Sequence, residues 1–251
     1  MKTKPLGFIA YEGPSLIDGR SIVVIINKIE DASANDKTGA LVQSFILRSD
    51  VPPLEAINTG ADRSICGDCE HRPLLARKSG KAPCYVAVWQ APRAVYTAYK
   101  AGRYEHATPA QLRAILKGKK LRIGTYGDGA AAPVELWEEL TAETEGHTGY
   151  THQWKRPDFD HARWARLVMA SADSLDDAAL ANLHGMRVFR VSIGTDKQPA
   201  EATCPASAEA GRRTTCEKCL LCAGTSKAAK DIVIADHASG HKRRVIQLQT
   251  A

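Results

Sequence analysis

Apolar residues run almost unbroken through "GRSIVVIIN" (19–27) and "LVQSFILRS" (41–49), with the polar stretch "EDASANDKTG" between them. Two β-rich runs joined by turn-forming residues predict a hairpin with a long loop. From 50 to 83 the pattern is irregular. Beyond it, short apolar runs alternate with amphipathic ones. Strands are predicted at "CYVAVW" (84–89), "LRIGTY" (121–126), "GYTHQW" (149–154), "RLVMAS" (166–171), "RVFRVSI" (187–193) and "DIVIAD" (231–236). Helices are predicted at "APRAVYTAYKAG", "TPAQLRAILKGK", "PVELWEELTAET" and "SLDDAALANLHG". Thr108 followed by Pro109 reads as an N-cap and first helical residue, and Ser174 with Asp177 as a second helix start.

Strand–helix alternation with short connections predicts an α/β fold, a mainly parallel sheet covered by helices. The strand count and the 251-residue length favour a small or degenerate (β/α) barrel. The expected organisation is one domain over 1–251, with an N-terminal β-hairpin within about 1–50 and Cys-rich loops at 64–84 and 204–225. No stretch approaches the ~20 apolar residues of a membrane span. The N-terminal residues carry no export pattern, so a reducing cytoplasm is the expected location.

That setting changes how the seven cysteines read. Under reducing conditions they are more naturally metal ligands than disulfides. Cys204, Cys216, Cys219 and Cys222 contain two overlapping Cys-x2-Cys pairs, and a tight turn can aim such thiolates at one tetrahedral ion. His237 or His241 can replace one thiol. Zinc is the expected ion, with an iron–sulfur cluster as the alternative. Cys66, Cys69 and Cys84, with His71, predict a second site with loops clamped around it. The chemistry is then sought at the C-terminal ends of the strands, where α/β folds collect functional groups. Asp128, in the turn "YGDG", and Asp173, in "SAD", are the candidate catalytic pair. Tyr126, Gly127, Tyr150, His152, Gln153 and Ser192 are candidate substrate contacts, because amides and imidazoles read base edges and aromatics stack on base faces.

The net charge of +6 is concentrated in three clusters: Lys117, Lys119 and Lys120; Arg212 and Arg213; Lys242, Arg243 and Arg244. Together they point to nucleic acid as a partner. The absence of G-x-S-x-G, P-loop, H-E-x-x-H and G-x-G-x-x-G patterns argues against serine hydrolases, nucleotide kinases, zincins and dinucleotide enzymes.

The stretches "SICGDC…CYVAVWQAP", "LRIGTYGD" and "CPAS…TTCEKCLLC" resemble bacteriophage proteins of the gene-product-88 type. More loosely, they resemble the queuine tRNA-ribosyltransferase superfamily and its DNA-acting branch, the DpdA-type 7-deazaguanine transglycosylases. The resemblance spans roughly 64–225. It implies a zinc-bearing α/β barrel and a pentosyltransferase that exchanges guanine in DNA for a free 7-deazaguanine base through a covalent aspartyl intermediate. It also implies a zinc loop of Cys216, Cys219 and Cys222 with His237 or His241, and, for a phage protein, the host cytoplasm. The sequence departs from the superfamily pattern in having two residues between Cys216 and Cys219, an added Cys204 and an early cysteine cluster. Two other classes stay open. One is a non-enzymatic, zinc-stabilised nucleic-acid-binding protein. The other is an iron–sulfur enzyme of radical-SAM type, although C-x3-C-x2-C is missing.

Overall fold

The computed structural model describes residues 5–30, 37–79, 84–192 and 196–235. The apolar runs near the N-terminus form the expected hairpin, and a third strand joins it. β1 (Gly7–Pro14), β2 (Ser21–Asn27) and β3 (Val42–Arg48) are antiparallel, with Ile25 opposite Phe45. Ile22 to Ile26 of β2 have no exposed surface, as their unbroken apolar run requires of a strand covered on both faces. Helices α1 (Pro53–Thr59), α2 (Arg63–Cys66) and α3 (Pro73–Ser79) then occupy the stretch expected to be irregular. They are too short to show a period. The Pro53 start and the left-handed Gly60 cap (φ 84°) of α1 are their local signature.

Beyond them come α4 (Ala91–Lys100), β4 (Glu105–His106), α5 (Pro109–Leu116), β5 (Lys120–Tyr126), α6 (Val134–Thr141) and β6 (Gly146–Thr151). α7 (His161–Trp164), β7 (Met169–Ala172), α8 (Leu175–Leu183), β8 (Val188–Ser192), β9 (Glu201–Thr203), α9 (Cys216–Cys219) and β10 (Asp231–Ala235) complete the chain. The sheet order is β4-β1-β2-β3-β5-β6-β7-β8-β10-β9. Every pairing from β3 onward is parallel. The α/β class is therefore as expected. α5 opens with the Thr108–Gln111 capping box, and the Ser174 side chain caps α8 by accepting from the Asp177 N–H.

One predicted strand is replaced. Residues 84–87 lack regular structure and 88–90 form a turn. β3 pairs directly with β5, which leaves "CYVAVW" no place between them. A main cluster spans the hairpin, β5 and the helices. A second, built from Met169, Cys204, Ala206, Cys222, Ile232 and Ile234, packs the Cys-rich segment onto the parallel half of the sheet. Among the described residues no helix is long and apolar enough to cross a membrane.

Candidate metal centre

β6 and β7 are adjacent and parallel, with Thr151 level with Ala170. His152 and Asp173, each the first residue beyond its strand, are thereby brought side by side at the C-terminal edge. His71 arrives from the turn before α3. Its Nε2 lies 2.9 Å from Asp173 Oδ1, and His152 Nε2 lies 3.6 Å from Asp173 Oδ2. The two imidazoles meet edge to face at 6.0 Å. One ligand atom from each of the three side chains lies within 4.8 Å of the other two, close enough to hold a metal ion. Cys69 Sγ sits 3.8 Å from His152 Nε2. Burial works against the charge of Asp173, but His152 and His71 outweigh it and hold the carboxyl well below its usual range. Burial likewise opposes the Cys69 thiolate, yet the two histidines prevail and lower the thiol.

The loop that delivers Cys66, Cys69 and His71 is pinned by a buried ion pair. Arg72 Nη2 donates to Asp62 Oδ1 (2.6 Å) and to Gly60 O (2.8 Å), while Nη1 donates to Gly67 O (2.9 Å). Gly67 adopts φ 57° and ψ −131°, and a Cβ there would fall 2.1 Å from Gln153 Oε1. Only glycine suits that backbone and that approach.

Asp128, expected as a catalytic partner of Asp173, is bonded throughout. Its Oδ1 accepts from Ala130 N (3.0 Å). Its Oδ2 accepts from His152 N (2.8 Å), Thr151 Oγ1 (3.1 Å) and Gln153 Nε2 (3.3 Å). Burial raises its carboxyl, and these bonds work in the opposite direction. Its backbone N–H donates to Ile65 O at 2.6 Å. Asp128 thus ties the early loop, the turn after β5 and the end of β6 together, and it fixes the main chain of His152. Both acids converge on that histidine, one at its backbone and one at its ring.

The other expected contacts divide. Gly127 (φ 80°) is required by its turn, since a Cβ would meet Ile46 O at 2.7 Å. Tyr126 is buried, with its hydroxyl unpartnered. Three residues expected at substrate are engaged internally instead. Gln153 bridges Asp128 and Cys66 O. Tyr150 packs on Phe189 at 4.4 Å and bonds to Cys222. Ser192 is buried against Asp196. The lysine cluster is neutralised: Lys117 pairs with Glu143 (3.0 Å), Lys119 with Glu30 (3.4 Å) and Lys120 with Glu145 (3.2 Å). Lys120 also begins β5, at the end of the sheet away from the metal centre. Arg212 and Arg213 are exposed. His237, His241, Lys242, Arg243 and Arg244 lie outside the described residues.

The late cysteines are gathered by main-chain bonds. Cys216 N donates to Lys37 O (2.8 Å) and Gly149 N to Cys222 O (3.0 Å). Arg187, which the sequence reading did not single out, donates to Leu221 O, Gly224 O, Lys227 O and Lys230 O. All four cysteines are free, and Cys204, Cys216 and Cys222 share one packed cluster. Burial and the neighbouring sulfurs push the Cys222 thiol up to about 12. No three of these sulfurs come within 4.8 Å of one another, and the same holds for Cys66, Cys69 and Cys84. Beside Cys216 lies Arg122, 9% exposed, whose Nη2 donates to Tyr85 Oη at 2.9 Å. Its Nε has no partner, and among the described residues no carboxylate pairs with it. A buried cation without a carboxylate is costly. Thiolates on a metal ion would supply the missing negative charge, so the chemistry of the donors suits one, while the sulfurs as placed do not converge on a single point.

Searches of protein-family models, curated proteins and solved structures return no match to this chain.

Proposed function

We propose that the chain is a metal-dependent enzyme whose working ion is held by His71, His152 and Asp173, while Cys204, Cys216, Cys219 and Cys222 bind a structural zinc. The observation that carries the reading is the mixed nitrogen–oxygen set at the C-terminal edge of two adjacent parallel strands. Three protein ligands with further positions free characterise catalytic sites, whereas closed all-thiolate sets characterise structural ones. A divalent ion held there would supply a Lewis acid and an activated water. Asp173 sets the orientation of both imidazoles, Asp128 fixes the His152 main chain, and Cys69 stands beside the His152 ring. The consecutive parallel run β5-β6-β7-β8 suits a partial (β/α) barrel.

The test is metal analysis of purified protein and of the His152→Ala and Asp173→Asn variants. The reading expects each variant to lose one ion per chain and the activity, with the zinc of the late segment retained. Full metal retention in both would sink it. A brown protein absorbing near ~400 nm would assign iron–sulfur to the cysteines instead.

A second reading, base exchange in DNA, is favoured by the strand-end position of Asp173 and by the two histidines that keep it ionised. An Asp173 oxygen bonds to C1′ as the bond from C1′ to guanine breaks, and guanine leaves with the electron pair. The departing guanine takes up a proton at N9, and the incoming 7-deazaguanine gives one up from N9 as that nitrogen displaces the carboxylate. Labelled guanine entering DNA, undiminished by chelator and abolished in Asp173→Asn, would favour this reading over the first.

A further inference from the structure

Part of the surface charge is matched by acids. Arg113, Lys155, Arg156 and Arg163 form ion pairs, as do the three lysines near β5. Arg93 and Arg103, like Arg20 and Arg166, stand outside these pairs, and what sets them apart is the groove they share. Both are exposed, and neither forms an ion pair among the described residues. They line one surface groove of about 430 Å³ together with Trp89, Gln90 and Thr97.

Trp89 is itself unusual here. The chain has four tryptophans. Trp137, Trp154 and Trp164 are 0%, 1% and 5% exposed, whereas Trp89 is 55% exposed. A large indole left in water beside two unpaired guanidiniums is poor packing but a good stacking platform. The groove is also tied to the metal centre by the chain. Cys84, whose N–H donates to His71 O at 2.7 Å, lies five positions before Trp89, a reach of at most about 18 Å. On that stretch Tyr85 presents a second aromatic ring, 63% exposed.

We propose that Trp89, Arg93 and Arg103 form a binding site for single-stranded nucleic acid, with a base stacked on the indole and the flanking phosphates on the two guanidiniums. The proposal does not depend on an ion at His71, His152 and Asp173. It moves the polyanion contact away from the glutamate-paired lysines. It commits to a polynucleotide rather than an acidic peptide because an unpaired cation pair around an exposed flat ring matches alternating phosphates and bases, and acidic side chains offer no ring to stack.

The test uses the full chain and a fluorescein-labelled oligodeoxythymidylate of about 12 nucleotides, read by anisotropy at several salt concentrations. Binding should quench tryptophan emission, which reports Trp89 because the other three indoles are buried. Trp89→Ala should weaken binding roughly 5- to 100-fold, and Trp89→Phe should keep most of the affinity while abolishing the quench. Arg93→Ala and Arg103→Ala should each flatten the salt dependence by about 0.7 in log–log slope. Replacing Lys117, Lys119 and Lys120 together by alanine should change nothing. An oligouridylate of equal length identifies which sugar is preferred, and binding of either polymer through Trp89 supports the site. The proposal is overturned if neither polymer binds, if Trp89→Ala binds as the parent does, or if polyglutamate competes equally well. Trp89, Arg93 and Arg103 are exposed, and unchanged circular dichroism verifies that each variant is folded.

Discussion

The two cysteine-bearing segments start from the same sequence spacing, Cys-x2-Cys, at the end of one short helix and within another, and reach different environments. The early one, Cys66 to His71, is locked by a buried ion pair, Arg72 with Asp62, and places its histidine against Asp173 from a distant strand. The late one, Cys204 to Cys222, is held by carbonyls on Arg187 and by packing, and the donor atoms it offers are all sulfur. Mixed donors with some exposure suit a working ion, while a buried sulfur set suits a clamp. Spacing alone does not separate these outcomes. What each pair faces across the fold does.

The sharpest way to break the comparison is at the early lock. Asp62→Ala leaves Arg72 as an uncompensated buried charge and should cost about 3–5 kcal/mol in urea unfolding. A loss below about 1 kcal/mol would mean that the lock is not what holds the loop. At the late segment, Arg122→Met should lower zinc affinity about 10- to 100-fold in chelator competition, with Arg122→Lys partly restoring it. Unchanged affinity in the Met variant would remove Arg122 from the thiolate argument. Gly67→Ala should destabilise by about 1–3 kcal/mol, and denaturant midpoints would reveal it.

The smallest effect is at the entry to the late segment. There the buried Glu201 accepts from Arg190 Nε at 2.6 Å and from Nη2 at 2.7 Å. Burial tends to raise its carboxyl, but the bonds from Arg190 and Gln198 N outweigh this and leave it below the ordinary value of 4.5. A lowered folded value stabilises fully above the unfolded one, and the benefit fades as pH falls through the folded value. Glu201→Gln should therefore trail the parent by about 1 kcal/mol near neutrality. The gap in thermal midpoint should close on acidification; a gap independent of pH would contradict the assignment.

Much of this was legible locally. The hairpin, the caps at Thr108 and Ser174, and the strand-end place of Asp173 follow from apolar runs and from residues next to them, whereas the strand expected over 149–154 stops at Thr151 and so puts His152 at its end. Other features depend on partners far along the chain. His71 meets Asp173 across 102 positions, and Cys69 meets His152 across 83. The apolar run 84–89 has strand-like composition, but its neighbours in the sheet already pair with each other. The lysines near β5 look like a polyanion patch until Glu30, Glu143 and Glu145 fold against them. Asp128 stands at a strand end as a catalytic acid would, and only its four donors show that it is built in.

Those four donors turn the end of β6 into a mechanical relay. A change at Asp128 shifts the peptide that carries His152, and the displacement arrives at the ring without any contact between the altered residue and a reactant. Silencing by Asp128→Ala would therefore mimic loss of a nucleophile while reporting only misplaced geometry, and substitutions at His71 and Asp173 are the ones that interrogate the chemistry itself.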